Sequence, residues 1–224
     1  MKPIVFNDRE LLIVDSQSSL TVADCSVDES TVDRIWRELC VDNPNRFNGA
    51  LSHVQAIDET DDAITIHVAP SEYRLAAVQT KLQNDAESRG EPRAVGKIGI
   101  HPLGVKGITR FDGSVLMGKR SSRVGVYQNL WEFAPGGGVE PGDEPVNRLL
   151  EELREETGVV ADGSPVRTAV MHDGVLGTFE IVYSILALTD NLSPSPEYSQ
   201  VAWCDTSDMP QPLSPLARQM IELL

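Results

Sequence analysis

Between Glu144 and Thr157 the chain reads EPVNRLLEELREET, and three of its carboxylates are spaced to act together. At about 100° per residue, Glu152, Glu155 and Glu156 fall within an arc of roughly 100°, beside an apolar flank of Leu149, Leu150 and Leu153. Carboxylates on one surface repel each other unless a cation sits among them. Hard oxygen ligands at that spacing suit Mg²⁺, or Mn²⁺, and either ion also bridges to phosphate oxygens. The alternative is a solvated acidic helix face. Just upstream, Gly136, Gly137 and Gly138 follow Pro135. A backbone without Cβ atoms can turn tightly and approach a ligand, although a plain loop also accounts for the run. The chemistry these residues fit is the holding of a divalent cation beside a phosphate-bearing ligand.

The stretch from Ala134 to Val160 resembles the Nudix box, G-x5-E-x7-R-E-U-x-E-E-x-G-U, where U is Ile, Leu or Val. Gly137 opens the pattern, and Glu152, Leu153, Glu155, Glu156, Gly158 and Val159 fall in register. Two positions depart from it: Asp143 replaces the first Glu, and Glu151 replaces the Arg. The preceding WEFAPGG, from Trp131 to Gly137, is also similar to that family. The resemblance implies an α/β/α sandwich with a mixed central sheet, and a hydrolase of nucleoside diphosphates linked to another moiety. It implies that Glu152, Glu155 and Glu156 bind divalent metal, joined by a glycine carbonyl near Gly136 or Gly137. Gly137 and Gly138 would then lie close to the substrate phosphates.

The family's Arg pairs with the acid that opens the box, which here would set Asp143 against Glu151, two like charges. Arg148 lies on the face of Glu152 and Glu155 and is expected to take over the charge balance; otherwise it is a surface ion-pair partner. Many family members place a further glutamate in a loop before the last strand as general base. Glu197, six residues before Trp203, holds that position here, and a surface loop acid is the alternative. Lys119, Arg120 and Arg123 follow a hairpin strand and either meet phosphates or line a solvated turn.

The segments IWR (35–37), RFNG (46–49) and SEYR (71–74) resemble the N-terminal region of Nudix enzymes that hydrolyse UDP-glucose and UDP-galactose. That implies release of UMP and a sugar 1-phosphate. Tyr73 would stack on uracil or shape the sugar site, unless it is a half-buried core tyrosine. Within the fold, the rivals are ADP-ribose, a dinucleotide or a nucleoside triphosphate. A rival of another class is a silent nucleotide-sensing module, motivated by Glu151.

These residues need a scaffold, and hydrophobic patterning supplies one. Residues 1–90 read as a smaller α+β region, a substrate-recognition, lid or homodimerisation layer; residues 91–224 read as the hydrolase domain. The boundary falls in the polar stretch Asp85 to Arg93. In the first region, strands are expected at Glu10–Asp15 and Ser19–Asp24, joined as a hairpin, and at Ala50–Ile57 and Ala63–Val68. Helices are expected at Asp28–Leu39 and, capped by Ser71, at Ser71–Leu82. In the second, a bent strand Val95–Phe111 leads through Asp112-Gly113 into Ser114–Lys119. Strands then follow at Leu130–Phe133, Val166–Val170, Thr178–Leu188 and Gln200–Cys204. The helix Glu144–Thr157 is capped by Asp143 or Glu144 and closed by Gly158, and Pro215–Leu224 ends the chain as a helix.

Composition narrows the function. Hydrophobic residues at 41% support a real core. No apolar run reaches the length of a membrane span, and the N-terminus turns polar too early for a secretory signal, so the reading is cytoplasmic. Cys25, Cys40 and Cys204 form no ligand pattern and read as buried reduced thiols. A net charge of -15 opposes a nucleic-acid backbone and leaves a small nucleotide diphosphate, carried in with metal, as the expected partner.

Overall fold

The computed structural model describes residues 2–44, 46–92 and 98–224. From the N-terminus the elements are β1 (Ile4–Val5), β2 (Glu10–Asp15), α1 (Glu29–Asp42), β3 (Ala50–Glu59), β4 (Ala63–Glu72) and α2 (Tyr73–Ser88). There follow β5 (Leu103–Phe111), β6 (Ser114–Arg120), β7 (Trp131–Phe133), β8 (Gly136–Gly138) and α3 (Pro145–Glu152). The chain ends with β9 (Val166–Asp173), β10 (Thr178–Leu186), β11 (Tyr198–Asp205) and α4 (Pro215–Met220).

Two compact units emerge: Arg9–Leu103 with Glu140–Gly142, and Met1–Asp8 with Gly104–Val139 and Asp143–Leu224. They do not follow a single cut at residue 90, because β1 pairs with β9 and so belongs to the larger sheet. The polar stretch from Asp85 to Ser88 is the last turn of α2, and Val95 to Lys97 lie outside the described residues.

In the smaller unit β4 is the central strand, with β3 antiparallel on one side and β2 parallel on the other. The hairpin expected across Ser16–Ser18 does not form: β2 pairs in parallel with β4, and no strand follows Ser18. Instead of a strand, Val22–Asp24 is a 3₁₀ turn, closed by the Thr21 N–H donating to Asp24 at 2.9 Å. Asp28 caps α1, accepting from the Thr31 N–H at 2.9 Å. The expected Ser71 cap of α2 is absent: β4 runs on through that residue, whose hydroxyl donates to the Leu20 carbonyl at 2.9 Å. Val32 and Ile35 of α1 meet Leu75 and Val78 of α2 in a core completed by Leu51, Ile98 and Ile100.

The larger unit holds a mixed sheet ordered β1-β9-β10-β5-β6-β11, with β7 on β6 and β8 on β5. Antiparallel ladders join β1 to β9, β9 to β10, β5 to β6 and β6 to β11, and a parallel bridge links Trp131 to Leu213. Period-two alternation sends Val115 and Met117, Trp131 and Phe133, and Ala169 and Met171 to one core with Leu216, Ala217 and Met220 of α4. Chain architecture is therefore α+β. No helix among the described residues is long and apolar enough to cross a membrane. Cys25, Cys40 and Cys204 are free thiols and only partly buried, where buried ones were expected.

The helix carrying the acidic cluster is not uniform. Glu144 stands at its N-cap position without a side-chain capping bond, and Pro145 opens it. After Glu152 it widens into a π-helical turn, Leu153–Thr157, which Gly158 ends at φ +75°. A Cβ on Gly158 would also meet the Ser193 side chain at 2.8 Å. Gly158→Ala should therefore lower unfolding stability by about 1–3 kcal/mol, read as a reduced urea midpoint at unchanged slope; an unchanged midpoint would refute this role.

Candidate active site

The π turn changes how the carboxylates sit. The expected arc of Glu152, Glu155 and Glu156 assumed continuous α geometry, but a π turn winds fewer degrees per residue, and such turns occur frequently at functional sites. Glu156 ends up buried, Glu152 partly buried and Glu155 exposed. The Glu156 carboxylate accepts the Gly136 N–H at 3.0 Å and shares the Tyr198 hydroxyl, 3.2 Å away, with Glu132. Burial pushes its pKa up to about 8, against the pull of Lys106 and of the Gly136 N–H. Glu152 is also raised, chiefly by burial; Arg148 opposes that, while Glu197 and Glu155 add to it. Glu155, Glu156 and Glu197 thus each lie within electrostatic reach of Glu152.

The triglycine run is a strand rather than a plain loop. Gly136, Gly137 and Gly138 pair with Lys106, Val105 and Gly104 of β5. A side chain at Gly137 would strike the Glu152 carboxylate, so the close approach of α3 to this strand requires glycine there. Nothing lies within 4 Å of a Cβ placed on Gly138.

Arg148 donates to Glu152 and lies 3.7 Å from Glu151, so Glu151 finds its counter-charge one turn back. Arg120 bridges Glu132 at 3.4 Å and Glu197 at 3.3 Å, with its guanidinium over the Tyr198 ring. Strand alternation sends the preceding Lys119 to the opposite face. Tyr73 belongs to the other unit. There it stacks edge-on against Trp36 at 6.1 Å, and its hydroxyl accepts from Arg46 at 3.0 Å.

Several members of the site were not singled out from sequence. Glu132 is buried in β7 and paired with Lys106 at 3.0 Å. Tyr198, Glu180 and Asp173 complete the cluster. The available signal was a charge inside an otherwise apolar stretch of strand: Lys106 in LGVKGI and Glu180 in TFEIVYSIL. A buried charge needs a partner, but which strands supply the partners is not written locally.

Do these residues fit a divalent cation? Among the described residues, no three acidic, His or Cys side chains already converge at ligand spacing. The donors are nonetheless of the right kind: hard carboxylate oxygens on α3 and the turn after it, beside a strand without side chains. Glu156 is an anion costly to bury, which a bound cation would stabilise. The fit holds, with Arg148 positioned to orient Glu152.

Glu180 also bears on stability. Burial raises its carboxyl from 4.5 to about 8, opposed by Lys106 and reinforced by Asp173 and Glu132. The folded chain then holds a proton that the unfolded chain has released, so stability falls as pH rises from about 4.5 to about 8 and levels off above. Against Glu180→Gln, which cannot ionise, the wild type should lose urea midpoint steadily across that window; a constant difference would mean that Glu180 is ionised throughout.

Comparison with known proteins follows the same outline. A curated nucleoside triphosphatase, NudI of Enterobacter sp. (strain 638), is 31% identical over 108 residues, covering 43% of this chain and 76% of that one. Among solved structures, a MutT NUDIX hydrolase from Burkholderia pseudomallei is 26% identical, with a TM-score of 0.45, over 55% of this chain and 96% of the other. The E. coli ORF135 protein is 32% identical, with a TM-score of 0.41, over 54% and 84%. The family model for the NUDIX domain matches residues 101–224, which contain the triglycine strand, α3 and β11. The chain belongs to the NUDIX domain family, whose hydrolases act on phosphoanhydride bonds.

Proposed function

We propose that this chain hydrolyses UDP-sugars, UDP-glucose or UDP-galactose, to UMP and a sugar 1-phosphate with Mg²⁺ as cofactor. The observation that carries the hydrolytic part is Glu152 and Glu156 set beside the triglycine strand, with Glu156 anchored to the Gly136 N–H. Glu152, Glu155 and Glu156, with the Gly136 carbonyl, would hold the metal. When bound, it neutralises the diphosphate and supplies an acidified water. Glu197 stands within reach of Glu152 as a proton acceptor, and Arg120, which it contacts, is placed to meet phosphate charge. Arg148 keeps Glu152 oriented.

The sugar-nucleotide part rests on the smaller unit. The three segments that resemble the UDP-sugar enzymes gather around Tyr73. Trp36 packs on its ring, Arg46 meets its hydroxyl, and its own N–H donates to the Gly49 carbonyl at 2.8 Å. Asn48 accepts from the Arg74 N–H at 2.8 Å and donates to Glu72. We assign residues 1–90 to substrate recognition or homodimerisation on this ground. Hydrolysis of a nucleoside triphosphate is the second reading, favoured by the NudI relatives.

UDP-glucose, UDP-galactose, ADP-ribose, NADH and the nucleoside triphosphates, assayed with and without Mg²⁺, separate these readings. UDP-sugar turnover should lead and should depend on the metal; triphosphates leading would install the second reading. Glu156→Gln should lower kcat by on the order of a hundredfold or more, since a metal contribution of several kcal/mol is at stake. Arg148→Ala should cost about tenfold in kcat/KM and in Mg²⁺ affinity, the usual effect of losing a group that orients a ligand. Unchanged rate and affinity would reduce Arg148 to a surface ion-pair partner.

A further inference from the structure

We propose that Glu180 is a specificity-determining residue that hydrogen-bonds the nucleobase edge of the substrate. This rests on the nucleotide-hydrolase reading and extends it to a strand outside the acidic helix.

Gly104 and Lys106 are two residues apart on β5, so they share a face of the sheet. They pair with Gly138 and Gly136, so that face borders the triglycine strand. A Cβ on Gly104 would collide with the Glu180 carboxyl, which occupies that place instead. Lys106 and Glu132 act electrostatically on both Glu156 and Glu180. Glu180 therefore lies at the same site as the acidic helix, but on β10, a strand away from the residues that would hold metal and phosphates.

The other carboxyls of the cluster are already engaged. Asp173 accepts the Tyr127 hydroxyl at 2.6 Å and the N–H groups of Val175 and Leu176 at 2.8 and 3.2 Å. Glu132 takes Lys106, Arg120 and Tyr198, and Glu156 takes Gly136 and Tyr198. Glu180 remains partly exposed, with acceptor capacity to spare. Held protonated by burial, its carboxyl offers one donor beside one acceptor. A nucleobase edge with an N–H next to a carbonyl or ring nitrogen presents the complement. Phosphates at Glu152, Glu155 and Glu156 would leave the nucleoside to run along this face toward β10.

The test is metal-free equilibrium binding of UMP, AMP, CMP and GMP, with ribose 5-phosphate as the ligand lacking a base. Glu180→Leu should weaken the best-bound nucleotide about tenfold, the effect of leaving base polar groups unpaired, and should leave ribose 5-phosphate unchanged. Glu180→Gln keeps a donor and an acceptor and should restore binding to within about threefold. Equal loss for ribose 5-phosphate, no loss in Glu180→Leu, or a Gln variant as weak as the Leu variant would each overturn the assignment. So would wild-type protein that binds none of the four at millimolar concentration. Failure of the hydrolase reading shows separately, as nucleotide binding without turnover of any diphosphate or triphosphate.

Discussion

The larger unit depends on burying several carboxylates together beside a small number of cations. Glu132 and Glu156 are buried, and Glu152 and Glu180 partly so, around Lys106 and Arg120. Each buried ion would be costly alone, and like charges at close range oppose one another's ionisation. The structure offsets this with hydrogen bonds from Tyr198 and the Gly136 N–H, and by raising the pKa of Glu152, Glu156 and Glu180. Such a site holds more latent negative charge than its own cations neutralise. The divalent ion proposed for this site would offset that surplus.

The scaffold serves this arrangement at close quarters. β8 carries no side chains, so α3 and its π turn come near enough for Glu156 to reach a backbone N–H. The left-handed Gly158 then turns the chain away at once. β5 contributes Gly104, where the Glu180 carboxyl needs room, and Lys106, where positive charge is needed. One face of β5 thereby accepts both a neighbouring carboxyl and its counter-ion.

Arg148 shows how the departure from the family pattern is tolerated. The acid at position 151 does not face another acid unaided; Arg148, three residues earlier on the helix, meets both Glu151 and Glu152. Helical spacing alone suffices for that pair. By contrast Arg120 and Glu197 are 77 residues apart in sequence, and only the pairing of β6 with β11 brings them within 3.3 Å.

Local patterning in the sequence determined β2, α1, β3, β4, the Asp112-Gly113 hairpin and the acidic helix with its glycine stop, because period, caps and turn residues act over a few residues. The same short range made the box and its carboxylates legible. Ser19–Asp24 is not a strand, since the Thr21–Asp24 contact closes a 3₁₀ turn there; tertiary structure decided that three glycines form a strand, since β5 offers them a ladder. It also decided which face of α3 is buried, through a π turn that no spacing rule announces. Lys106, Glu132, Glu180 and Tyr198 became one site for the same reason. Burial and pairing of charge are set by strand neighbours distant in sequence, and no local pattern encodes them.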